Sequence, residues 1–241
     1  MKVLVFIFLI ITLSLSAKES FKKQQLKYPK VRKAIKEKEQ LVKKLFKNKN
    51  IKYGSKIFIR VFKLDGKLEL WALKNKKYKL IKTYQICMPS GVIGPKRAQG
   101  DYQVPEGFYY LNHFNPYSSY YLSLGVSYPN KSDRILKTKK DAGGAIYIHG
   151  SCVTIGCMPL TDDIIKEVYI IAMESRNNGQ YKIPIHIFPC RMQKEYCKKE
   201  MKKYPKNQKF WQDILEGYNY FENNKILPKI KINSKGKYIF K

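Results

Sequence analysis

The 241 residues suffice for one sizeable core with a small appendage and are too few for two full domains. Net charge is +30, yet only six of the 48 basic residues are arginine, so the arginine forks and defined motifs of a nucleic-acid reader are missing and no nucleic-acid partner is expected. The five cysteines are odd in number, which leaves at least one thiol unpaired even in an oxidising compartment, and none has the CxxC or Cys/His spacing of a zinc site, so neither metal nor other cofactor is expected.

The chain opens with Met1 and Lys2, an apolar run from Val3 to Leu13, and the small-residue stretch Ser14, Leu15, Ser16, Ala17. Residues 1–17 read as a secretory signal peptide, too short in its apolar run to span a bilayer comfortably, and predict export to the periplasm. Residues 18–52 form a basic segment in which Val31, Ala34, Ile35, Leu41, Val42 and Leu45 recur at helical spacing after Pro29. One amphipathic helix docked by that stripe is expected, its lysine face solvated; contact with anionic lipid headgroups or an acidic polymer is the alternative.

A β-rich core begins near residue 53. Ile57 to Phe62 and Leu68 to Leu73 flank an Asp65-Gly66 hairpin turn, and a second turn at Lys74 to Lys77 leads into Tyr78 to Met88. Pro89 to Asp101 is too rich in turn residues for regular structure and carries Lys96 and Arg97 as cations on a glycine-flanked loop. The tyrosines from Tyr117 to Tyr121 read as packing residues, His113 has nothing nearby to mark a site, and His186 reads as a satisfied core residue on a buried strand, with orientation of another histidine as its alternative role.

The stretch from Ala145 to Leu160 concentrates the chemistry. Ala145 to Ile148 reads as a short buried strand delivering His149, with Gly150 allowing a sharp turn beside it. A loop then carries Cys157 towards a helix capped by Thr161, with Asp162 and Asp163 in its first turn and an apolar face of Ile164, Ile165, Val168, Ile171 and Ala172. A thiol just outside a helix N-terminus and near an imidazolium is expected to favour the thiolate, and amides around Gly156 and Cys157 are placed to hold an oxyanion. Cys152 reads as a packing residue, or as a disulfide partner that silences Cys157; a buried structural cysteine is the plainer reading of Cys157 itself.

His149-Gly150 followed by Thr154-Ile155-Gly156-Cys157 resembles the active-site motif of the L,D-transpeptidase (YkuD-type) catalytic domain. The short interval, Ile155 where a histidine often stands, and Met158-Pro159 where an arginine usually follows are similar to the YafK-like subgroup of murein L,D-transpeptidase homologues. Gly94-Pro95-Lys96, Gly100-Asp101 and Val104 to Tyr109 resemble that subgroup's cleft-lining segment.

The resemblance implies a mainly β, β-sandwich-like domain with flanking helices over residues 53–190, followed over 191–241 by a C-terminal helix around Phe210 to Phe221 and a terminal hairpin. It implies Cys157 as nucleophile and His149 as base, with Gly150 and Gly156 shaping the site. Lys96, Arg97, Thr154 and Arg134 are the expected substrate contacts, the two loop cations receiving carboxylates of a peptidoglycan stem peptide. A thioester passed to an amine gives cross-linking; passed to water, it gives carboxypeptidase or endopeptidase trimming, or release of a wall-linked lipoprotein. The alternative of another class is a non-catalytic basic wall-binding protein.

Overall fold

The computed structural model describes residues 19–241, so the expected signal peptide lies outside the described residues. In chain order the elements are α1 (Phe21–Leu26), α2 (Pro29–Asn48), β1 (Ile57–Phe62), β2 (Lys67–Lys74), β3 (Lys77–Gln85), β4 (Gly107–Asn115), β5 (Ser123–Val126), α3 (Lys131–Leu136), β6 (Tyr147–His149), β7 (Met158–Pro159), α4 (Asp162–Asn177), β8 (Ile183–Phe188), α5 (Glu195–Met201), a 3₁₀ turn (Pro205–Asn207), α6 (Gln208–Asn224), β9 (Ile230–Ile232) and β10 (Tyr238–Phe240).

Eight strands form one curled mixed sheet in the order β3-β2-β1-β8-β4-β5-β6-β7, and β9 with β10 makes a separate ribbon. The expected class, β-rich with flanking helices, is what is found. β1 and β8 lie side by side in parallel near the middle. Both are buried along nearly their whole length, Arg60 and His186 included, because the sheet is covered on both faces. Ile57, Ile59 and Val61 of β1 join the core shared with α2 and α4, whereas Phe62 joins a second core built on Trp211, Ile214 and Tyr218 of α6. Arg60, which alternation alone places outward or inward without preference, is buried against α6, paired with Glu69 at 2.8 Å and Glu222 at 2.7 Å.

The N-terminal segment holds two helices where one was expected: Ser20 caps α1, and Pro29 at the first position of α2 restarts the helix. Val31, Ala34, Val42 and Phe46 are its buried residues, each large apolar side chain worth about 1.5–3 kcal/mol on burial, while Leu41 is exposed instead of joining the stripe. Several lysines at this layer are paired across it, Lys38 with Asp163, Lys166 with Glu37, and Lys22 with Glu39 and Glu174. The face is therefore neutralised in part by its own helices, and each such surface pair adds only about 0–1 kcal/mol.

The curl brings the two ends of the sheet together. Just beyond β3, the Cys87 amide donates to the Pro159 carbonyl of β7 at 3.1 Å, and a Cys87–Cys152 disulfide spans the same junction. The segment that carries the candidate site is thus tied to the opposite edge of the sheet.

Candidate active site

His149 ends β6, where it pairs with Ser123 of β5 on one side and Pro159 of β7 on the other. The β6–β7 pairing is parallel, with Ile148 opposite Met158. One step back along that register sets Cys157 beside Tyr147, on the face that Tyr147 and His149 share by strand alternation. The contacts agree: the Tyr147 amide donates to the sulfur, and the thiol lies 3.6 Å from the Ala145 carbonyl. His149 and Cys157 line one cavity of about 340 Å³ with Tyr120, Ser123, Thr154 and Ile155. On the other side of Cys157 a second cavity, of about 240 Å³, is lined mostly by apolar groups including Leu64, Met88, Val92 and Met158.

Gly150 follows His149 so closely packed that a Cβ there would meet Asp162 Oδ1 at 2.6 Å and the Tyr120 carbonyl at 2.9 Å. The expected helix α4 is present with Thr161 as its cap, and its first residue reaches back, Asp162 Oδ1 accepting from the Ser151 amide at 2.8 Å. Gly156 sits at φ 131°, in the range that favours glycine, with its Cα side 3.3 Å from the Gln103 carbonyl for any added Cβ.

The electrostatics differ from expectation. Burial pushes the Cys157 thiol up, against the opposing effects of the Tyr147 amide and the Lys96 charge, and burial holds His149 down. Both shifts favour a neutral thiol and a neutral imidazole over a preformed thiolate and imidazolium. Four residues of β7 and turn separate Cys157 from the helix, and the helix N-terminus is already met by Thr161 and Asp162. His149 Nδ1 lies 2.5 Å from the Gly150 carbonyl, an oxygen that can only accept. The proton therefore sits on Nδ1, and Nε2 is left as the basic nitrogen. Tyr120, expected only as packing, lies over this ring at 4.7 Å between centroids.

Thr154 lines the cavity, but its hydroxyl is already engaged within the turn. Its hydroxyl accepts from the Cys157 amide at 2.8 Å and the Gly156 amide at 3.2 Å, and donates to the Cys157 carbonyl at 3.0 Å. Both amides expected to hold an oxyanion are engaged by this one side chain. Lys96 is buried, not exposed, with its ammonium on Asp101 at 2.6 Å and the Ala98 carbonyl at 2.9 Å; it reaches the site as a positive charge acting on Cys157. Arg97 turns the other way, bonded to Asp133 at 3.2 Å and stacked 4.7 Å over Phe210, and Arg134 bonds the Pro129 carbonyl. Neither arginine lines either cavity at Cys157.

The other cysteines are accounted for. Cys87 pairs with Cys152 and Cys190 with Cys197, so Cys157 is the free thiol among the described residues and Cys152 is neither a packing residue nor its disulfide partner. His186 is three strands away from β6 in the sheet and packs against Phe58 and Phe108; its Nδ1 has no hydrogen-bond partner among the described residues, so it is neither satisfied nor an orienting group for His149. Among the described residues no group of three His, Cys, Asp or Glu side chains is gathered closely enough to hold a metal.

Residues 58–187 match the model of the L,D-transpeptidase catalytic domain, YkuD. The chain belongs to this family. The YkuD domain here is accompanied by a relative that extends the match well beyond it: "Putative L,D-transpeptidase YafK" of Escherichia coli (strain K12) is 35% identical over 188 residues, 77% of this chain and 74% of that one, and the protein of the same name from Escherichia coli O157:H7 gives the same figures. Among solved structures, the helical cell shape determining protein Pgp2 from Campylobacter jejuni is 22% identical with a TM-score of 0.44, covering 56% of this chain and 51% of that one, so the likeness spans about half of Pgp2. Bdellovibrio bacteriovorus Bd1075 is 18% identical with a TM-score of 0.40, covering 75% and 78%.

Proposed function

We propose that this YkuD-family protein is an exported cysteine acyltransferase and hydrolase of peptidoglycan stem peptides, with Cys157 as nucleophile and His149 as general base. One observation carries the reading: the free thiol among five cysteines shares a cavity with a histidine whose Nδ1 proton is fixed by the Gly150 carbonyl. Export is supported by the leader-like residues 1–17 and by two disulfides, which persist in oxidising compartments.

With burial favouring the neutral form of both groups, the proton moves as the bond to carbon forms. As Cys157 Sγ attacks the carbonyl carbon at the L-centre of the third, diamino residue of the stem, its proton passes to His149 Nε2. The tetrahedral adduct collapses by breaking the C–N bond, and the leaving amine takes that proton from His149. A thioester remains on Cys157. Water or an amine then attacks it, giving a proton to His149, and the thiol leaves protonated. The oxyanion draws on the amides of Gly156 and Cys157 once Thr154 Oγ1 gives them up, with the Lys96 charge close by.

Hydrolysis, including detachment of a wall-linked lipoprotein, is proposed to run at least as fast as cross-linking. Among the described residues the cavity beside His149 is lined by no carboxylate, and exposed Ile155 stands at its rim, so an incoming ammonium finds no counter-charge whereas water needs none. Incubating the protein with purified muropeptides and reading products by mass tests this. Tripeptide released from tetrapeptide is the expected product; accumulation of dimers joined between the third residues of two stems, with no tripeptide and no lipoprotein freed, refutes it.

A further inference from the structure

The loop from Gly94 to Asp101 touches two places at once. Lys96 is turned inwards, its charge acting on Cys157, while its neighbours Pro95 and Arg97 line a separate cavity of about 340 Å³. That cavity is completed by Lys206 of the 3₁₀ turn, by Lys209 and Phe210 at the start of α6 and by Asn233, Lys235 and Lys237 of the terminal ribbon. Five cations face one acid, Asp213, which is held by Lys237 at 3.4 Å.

What distinguishes this cavity from the rest of a very basic surface is that its unpaired charges line one concave site around a held guanidinium. The lysines between α2 and α4 meet Glu37, Glu39, Asp163 and Glu174. Among the described residues, no carboxylate lies within ion-pair reach of Lys206, Lys209 or Lys235, and the first turn of α6 contains no acidic residue. Arg97 is held rigid by Asp133 and Phe210 through one side of its guanidinium, and its Nε and Nη2 donate to no described group. A preoriented guanidinium with donors to spare, ringed by unpaired ammonium groups, suits a planar carboxylate.

We propose that this cavity is an exosite for the carboxylates of a peptidoglycan strand, gripping one stem while another stem of the same polymer is at Cys157; the inference rests on the substrate class proposed above. The loop cation expected at the catalytic cleft thereby acts next door to it, on a part of the polymer that does not react.

The test is co-sedimentation with purified sacculi at about 0.15 M salt, where exposed charges are screened within roughly 8 Å. A Cys157→Ala background prevents turnover. Lys209→Gln with Lys235→Gln removes two cavity charges, and Lys36→Gln with Lys44→Gln removes two from α2, where neither lysine is paired with an acid. Melting temperatures confirm that both pairs are folded. The cavity pair is expected to weaken binding about five- to tenfold and the α2 pair less than about twofold, the range for two partly screened charge contacts. Equal losses, or none from the cavity pair, overturn the proposal. Sacculi stripped of their stem peptides should bind the parent and the cavity pair alike; a difference that survives stripping shows that stem carboxylates are not the ligand. Turnover of a soluble tetrapeptide by the unsubstituted protein is scored separately, so failure of the chemistry is distinguishable from failure of the exosite.

Discussion

The two disulfides do different work. Cys190–Cys197 closes a loop seven residues long beside α5, where the chain would stay local in any case. Cys87–Cys152 joins residues 65 apart, from the far side of β3 to the loop between His149 and Cys157. The chain-entropy contribution grows with loop length, to roughly 2 kcal/mol for the short loop and roughly 4 kcal/mol for the long one. One staple therefore serves the appendage, and the other holds the sheet's two ends around the thiol.

The sharpest break in that comparison is at the cysteine in neither bridge. Cys157→Ala should reduce turnover of muropeptides to background, a loss of at least about a thousandfold, with the melting temperature unchanged within about 2 °C. Next in size, Cys87→Ala or Cys152→Ala should cost roughly 4 kcal/mol of stability, lowering the melting temperature by about 10 °C and turnover with it, because the loop carrying Cys157 loses its tie. That is several times the packing cost expected of an unpaired Cys152. Cys190→Ala should cost roughly 2 kcal/mol and leave turnover near the parent level, measured in the same thermal and product assays; parity between the two disulfides would show that the long staple does not position the site.

Smaller still is the effect of loosening the turn without cutting it. Thr154→Val removes the acceptor of two part-buried amides and should cost about 0.5–1.5 kcal/mol, while Thr154→Ser keeps the hydroxyl and stays near the parent, as thermal melts would report. Finally, with the thiol raised by burial and His149 lowered, alkylation of Cys157 by iodoacetamide should be slow at neutral pH and climb steadily above the usual thiol range. A plateau already reached near pH 7 would mean a preformed ion pair and contradict the neutral ground state.

How far the sequence spoke depended on the range of each signal. β1, β2 and the turn between them follow from alternation and Asp65-Gly66, and Thr161 marks the start of α4, because these signals are local. His149 and Cys157 were found from a compact motif, and the structure brings them to one cavity. What could not be read was set by partners distant in sequence. Arg97 is turned from the thiol by Asp133 and Phe210, and Cys152 is claimed by Cys87. The shift of His149 and Cys157 towards their neutral forms was equally hidden, since motif spacing carries no information about burial. Only Thr154 left a usable local sign, a hydroxyl three residues before the thiol, the spacing at which side chains tie a turn to its own amides.

The charges along β3 have a further meaning for the molecule's life before it is stapled. This strand is an outer one, and a bare outer strand is a template on which a second chain can extend the sheet. Lys77 and Lys79 lie exposed along it, while Lys82 is paired with Glu167, so a copy laid alongside would set like charges against each other. Newly made chains in which Cys87 and Cys152 are still reduced would meet as mutually repelling monomers instead of seeding aggregates, and the abundance of lysine then counts as protection from self-association while the bridge forms.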